Sequence, residues 1–212
     1  MTKIVSLFIL FSTFLNYGSL KPPGTIGISD KLYMDQTEIS NLDWTEHLVW
    51  LKFKYGLESE KYQNALPDLE IWKEVYGIDF KLIPTNKVPN NYPIVGISYN
   101  QAIVYCQWRT QVVNEVYKDK MEVTYRLPSI EEYKIAQKFE KKDTEDYFFH
   151  EQYKLHQLPS KTKGKFMLFL SSNVSEMTNE LGIALTAEYG KTKNYSKAEK
   201  WLGFRCVAEI IE

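Results

Sequence analysis

Twice in the second half of the chain, a short β-rich run is followed at once by a serine placed to start a helix. Ser98-x-x-Gln101 comes after Ile94-Val95-Gly96-Ile97, and Ser129-x-x-Glu132 comes after Val123-Thr124-Tyr125-Arg126-Leu127 and Pro128. In each, the serine oxygen can accept from the amide three residues on, while the Gln or Glu reaches back to the serine's own N–H. Ser40, with Asp43 beyond it, is a third N-cap of the same kind. These capping residues fix helix starts and set the frame for the rest of the reading.

Thr25–Ser29 and Lys31–Thr37 read as strands around a turn at Ser29-Asp30. A helix over Asn41–Lys54 follows, with Leu42, Leu48, Val49 and Phe53 at helical spacing, and Gly56 ends it. Trp72, Val75 and Tyr76 suggest a short helix, before a loop rich in proline and asparagine. The helix from Ser98 runs to about Tyr117, with Ala102, Cys106, Val113 and Val116 near one face. The next carries Tyr133, Ala136 and Phe139 inward. Lys141–Lys165 is a charged, aromatic surface excursion. Phe166–Leu170 is a strand candidate, Thr178–Lys200 is polar, and Gly203–Val207 reads as a last strand.

The 212 residues suffice for one domain with a sizeable core. A net charge of −1 gives no electrostatic reason to bind nucleic acid. Lys3 followed by the apolar run Ile4–Leu15 reads as a secretory signal, too short to span a bilayer comfortably. We therefore assign residues 1–19 to a signal peptide and 20–212 to the domain. The mature chain is then exported to the periplasm or cell surface with no transmembrane span, and no nearby cysteine is available for lipid attachment.

The only two cysteines are Cys106 and Cys206. In an oxidising compartment they can pair; a reactive pair or half of a metal site are the competing readings, the latter weak without CxxC spacing. His150 and His156 have no zinc-like spacing and read as loop residues, and His47 as packed or exposed rather than catalytic. Asn173-x-Ser175 and Asn194-x-Ser196 match a glycosylation sequon that matters only in a eukaryotic secretory pathway.

Six segments, in order, resemble the formylglycine-generating enzyme (sulfatase-modifying factor) family. They are Pro23-Gly24-Thr25; Tyr33 to Asn41 (YMDQTEISN); Tyr92 to Tyr99 with Ala102, Tyr105, Cys106, Trp108 and Arg109; Tyr125 to Ser129 with Glu131 to Tyr133; Ser172 to Met177 (SNVSEM); and Gly203 to Val207 (GFRCV). The resemblance implies an α/β (α+β), C-type-lectin-like fold with little regular secondary structure. It also implies a disulfide between Cys106 and Cys206. Arg126 and Arg205 read as buried or half-buried donors tying irregular loops together.

The departures from the family matter as much. Its enzymes oxidise a substrate cysteine with copper held by a cysteine pair, and soft Cu(I) requires thiolates. The corresponding stretch here, Leu181 to Leu202, contains no cysteine. The resemblance also implies a calcium ion held through Ser172, Val174 and Glu176, although Phe169 stands where an asparagine ligand is usual. Against calcium, Glu176 reads as a surface or capping carboxylate. The expectation is a non-catalytic structural or protein-interaction module of the bacterial cell envelope, similar to gliding-motility and secretion lipoproteins. It has an envelope protein as partner and no cofactor unless calcium. An enzyme with altered chemistry and a carbohydrate-binding module are the alternatives.

Overall fold

The structure is a computed structural model, and it describes residues 21–77, 90–118, 120–140, 155, 158, 166–168, 170, 173–186 and 190–211. The signal segment, His150, His156 and Ser172 lie outside the described residues, as does most of the Lys141–Lys165 excursion.

The chain enters through a hairpin of β1 (Thr25–Ser29) and β2 (Leu32–Asp35), in antiparallel register Thr25↔Asp35. Ser40 then caps α1 (Asn41–Tyr55): its hydroxyl accepts from the Asp43 amide, and Asp43 accepts from the Ser40 amide. Gly56 closes the helix. Two short helices follow, α2 (Glu60–Gln63) and α3 (Leu69–Tyr76), and then the long α4 (Tyr99–Val116) behind its capping box. β3 (Val123–Arg126) leads to α5 (Ile130–Ala136), whose box is the predicted Ser129 and Glu132. The remainder is β4 (Ser175–Met177), β5 (Ile183–Leu185), β6 (Thr192–Asn194), β7 (Leu202–Gly203) and β8 (Val207–Ile210).

Two four-stranded sheets result. The first, β1-β2-β8-β3, is antiparallel throughout; the second is β6-β5-β4-β7, in which β4 and β7 run parallel. The β3 edge of the first sheet is closed by α4. Asn114 exchanges two hydrogen bonds with the Val123 backbone, at 2.9 and 3.0 Å, and Thr110 Oγ1 accepts from the Tyr125 amide at 2.8 Å. The main core, centred on Trp44, Trp72, Ile94, Ile97, Leu127, Leu202 and Phe204, is shared by helices and both sheets.

Some expectations needed correction. On α1 the inward line is Trp44, His47, Leu48 and Leu51, while Leu42 and Phe53 are exposed. The helix carries apolar residues on several faces, so hydrophobicity alone does not choose one. The Trp44 ring decides it, stacking on Tyr105 at 5.4 Å and donating to the Ala65 carbonyl at 3.1 Å. Val116 on α4 is also exposed. Ile94–Ile97 is buried but forms no strand. Ile94 donates to Ile39 and Gly96 to Glu199, on separate segments. Gly96 has φ +72, and a Cβ there would come within 3.1 Å of Ile71, so the chain must turn rather than extend. Among its described residues, Phe166–Leu170 forms a bridge between Met167 and Glu140. The polar span after Thr178 contains the β5–β6 hairpin, and Gly203–Val207 is two strands in two sheets rather than one.

His47 is enclosed by Trp44, Tyr105 and Trp108, and neither ring nitrogen has a hydrogen-bond partner. Burial alone lowers its pKa from 6.5 to about 4. The folded chain therefore keeps it neutral while the unfolded chain protonates it below 6.5. Its contribution is whole above pH 6.5 and is lost as pH falls towards 4, by about 2 kcal/mol at pH 5. Urea unfolding at pH 7 and pH 5 should show the wild type falling by about 2 kcal/mol relative to His47→Phe, the other titrating groups acting alike in both. Equal losses would mean that His47 does not carry the acid lability.

Candidate functional site

The crossing from one sheet to the other is made by three residues. β7 pairs with β4 through Ser175↔Leu202 and Glu176↔Gly203, and β8 begins at Val207 in the other sheet. Phe204, Arg205 and Cys206 lie between them, all fully buried. The approach leaves room only for glycine at 203, where a Cβ would sit 2.8 Å from Val174 and 3.0 Å from the Ile94 carbonyl.

Arg205 uses all five of its N–H donors inside the protein. Nε and Nη2 grip the two Glu176 oxygens at 2.7 Å each, Nη1 reaches the Asp35 and Gln36 carbonyls at 3.1 and 3.3 Å, and Nη2 also reaches Leu168 O at 3.1 Å. Tyr133 on α5 donates to the same carboxylate at 2.9 Å. Burial opposes the guanidinium charge, but Glu176 outweighs it and holds the pKa above the usual arginine value. Glu38 lies 3.7 Å from Nη2 and is also fully buried. Burial pushes its carboxyl up to about 8; Arg205 opposes the shift, Glu176 adds to it, and Asn173 lowers it slightly. One cation thus serves two buried acids, and burial favours the neutral form of Glu38.

A second node lies beside the first. Asp35 Oδ2 accepts from the Cys206 amide at 2.9 Å and from Arg109 Nη1 at 2.6 Å. Arg109 also donates to Pro23 O at 3.0 Å and covers the Tyr125 ring. The thiols of Cys106 and Cys206 are buried and face each other at 3.3 Å. Burial above all, and then Cys106, pushes the Cys206 thiol up, which is the opposite of what a reactive thiolate needs. Arg126 is partly exposed, pairs with Glu132 at 2.6 Å, and so ties β3 to the α5 capping box.

A family model for the sulfatase-modifying factor enzyme 1-like domain matches residues 12–166. The chain belongs to this family. Two solved structures are similar in shape: PvdO from Pseudomonas aeruginosa (12% identity, TM-score 0.47, covering 84% of this chain and 80% of that one) and Treponema denticola variable protein 1 (14%, 0.44, 84% and 84%). No curated protein matches.

Of the ligands implied for a calcium ion in the sulfatase-modifying factor domain, the Glu176 carboxylate does not fit the role. Glu176 is neither a ligand open to a cation nor the surface or capping carboxylate anticipated from sequence. It is buried, and each oxygen is already bonded to Arg205. The Val174 side chain packs in a small apolar cluster with Val95 and Leu155. Among the described residues, no three His, Cys, Asp or Glu side chains gather as a side-chain metal site. Asn173 is buried at φ +68, so of the two sequons only Asn194 is accessible.

The stretch where the family's enzymes carry their cysteine pair folds here as the β5–β6 hairpin and the loop to β7. It exposes Leu181, all of β6, and a half-buried Trp201 with Lys193 Nζ 3.7 Å above its ring. Between α3 and residues 197–200 lies an open hollow of about 640 Å³ with charges of both signs, among them Asp68, Lys73, Lys197 and Glu199. Sequence reading found Arg205 through its motif. Glu38 stands in the YMDQTEISN motif but has no role assigned there, and the Lys193–Trp201 contact is one that no local pattern encodes.

Arg205→Met should destabilise the domain by about 3–5 kcal/mol, because Glu176 would stay buried without its cation. Adding Glu176→Gln should recover part of that, and denaturant melts of the two variants decide it. Glu38, with its pKa raised, contributes most below about pH 4.5 and loses that contribution as pH climbs to 8. Glu38→Gln should therefore flatten the decline in stability between pH 6 and 8. The melting temperature should be the same in excess calcium and in excess chelator; a rise with calcium would show a cation site after all.

Proposed function

We propose that this sulfatase-modifying factor domain is a non-catalytic module of the bacterial cell envelope, exported and engaged with a protein partner. The observation that carries the reading is the disposition of the cysteines. The chain has two, both buried against each other in the sheet crossing, and the surface stretch that would need thiolates for copper has none. A buried pair 100 residues apart, with the Cys206 thiol pushed up by burial, suits a stabilising bridge better than redox turnover. In an oxidising compartment it closes to a disulfide contributing about 4–5 kcal/mol in the chain-entropy model.

The contact surfaces are the Tyr- and Lys-rich stretches at 140–165 and 186–200; of the second, residues 190–200 are exposed over most of their length and hold four lysines. Crosslinked affinity purification from the native envelope, followed by mass spectrometry, tests the reading. A reproducible, near-stoichiometric protein partner is the expected result. Oxygen consumption with a cysteine-containing peptide, or no partner at all, would overturn it. Non-reducing peptide mapping of the exported protein should find Cys106 joined to Cys206, and reductant should lower the melting temperature.

A further inference from the structure

The order β6-β5-β4-β7 leaves β6 at the end of its sheet. Its hydrogen-bond phase follows from the flanking bonds: Tyr195 N–H reaches Gly182 O, and Thr186 N–H reaches Lys191 O, both at 2.9 Å. Paired residues in an antiparallel ladder alternate between bonded and non-bonded positions. In the register Ala184↔Lys193, Lys193 is therefore the β6 residue whose amide and carbonyl face β5. The amides and carbonyls of Thr192 and Asn194 face outward.

The other sheet treats its β3 edge differently, with Asn114 and Thr110 bonding that strand's backbone. At β6 no described side chain does so, and all three residues are exposed. Nor does the strand's lysine screen the edge, because Lys193 lies over the Trp201 ring. The surroundings are basic: residues 190–200 hold Lys191, Lys193, Lys197 and Lys200 against one acid, Glu199. Lys200 is paired with Glu74 at 2.6 Å.

We propose that β6 receives an extended acidic segment of a partner protein as an added fifth strand. The outward groups of Thr192 and Asn194 supply main-chain hydrogen bonds, and the lysines select for Asp and Glu side chains. This inference rests on the interaction-module reading and specifies the partner's chemistry.

The test titrates ¹⁵N-labelled mature chain with a synthetic peptide alternating Glu with Val and Thr, and with a control carrying Lys for each Glu. The Thr192 and Asn194 amides should shift and gain exchange protection with the acidic peptide, at an affinity at least about tenfold above the control. Asn194→Pro removes one outward donor while sparing the Lys193 bonds, and should weaken binding about tenfold with no change in melting temperature. Shifts confined to other surfaces, equal affinity for both peptides, or no binding would overturn the proposal. So would concentration-dependent self-association through the same amides, which would give the edge to a second copy. If the envelope partner is captured equally by wild type and Asn194→Pro, strand addition fails while the interaction reading stands. If wild type captures no partner, the reading beneath it fails as well.

Discussion

A guanidinium buried at Arg205 is the interaction on which the two sheets depend. Between β7 and β8 the chain changes sheets within three residues, too few to bring its own regular hydrogen bonding. The backbone carbonyls of Asp35, Gln36 and Leu168, left over from neighbouring loops, need donors in a region that water does not reach. A single arginine supplies them and meets Glu176 at the same time. The cost of burying the charge is offset only because the geometry is complete; the loss of either partner would leave an ion in the core.

Asp35 extends this arrangement to the N-terminal segment. Its carbonyl accepts from Arg205, and its carboxylate accepts from the Cys206 amide and from Arg109, which in turn holds Pro23. The hairpin β1–β2, helix α4 and the crossing are thus bound through polar groups on consecutive residues, 205 and 206. The cysteines sit at the inner end of that chain of contacts. A bridge between them would brace α4 against a crossing already fixed by hydrogen bonds, so the fold does not need thiol chemistry to choose its topology.

Much of this was legible in the sequence, because the information was local. Ser40, Ser98 and Ser129 announced their helices through bonds spanning three residues, and the motif around Arg205 announced a buried donor. The misreadings came where the deciding partner was distant in sequence. Which face of α1 turns inward depends on Tyr105 and Ala65, not on the helix's own pattern. Ile94–Ile97 looks like a strand but bonds to Ile39 and Glu199. Glu176 looked like a surface acid or a calcium ligand because its neighbours in sequence do not reveal Arg205, which arrives 29 residues later. Glu38 stands in the YMDQTEISN motif, but its burial beside Arg205 depends on a residue far along the chain.

The same separation of local and distant constraints bears on the 181–202 stretch, where this chain has no cysteine. The crossing is held by Arg205, Asp35, Glu176 and Arg109, none of which belongs to the 181–202 stretch. Ala184, Leu185 and Leu202 of that stretch belong to the core, whereas its exposed residues, Leu181, Thr192, Lys193 and Asn194 among them, lie outside it. Those exposed side chains can change without disturbing the core. Lysines on that surface alter what it attracts while Arg205, Asp35, Glu176 and Arg109 keep the sheets in place, so the surface and the crossing answer to separate residues.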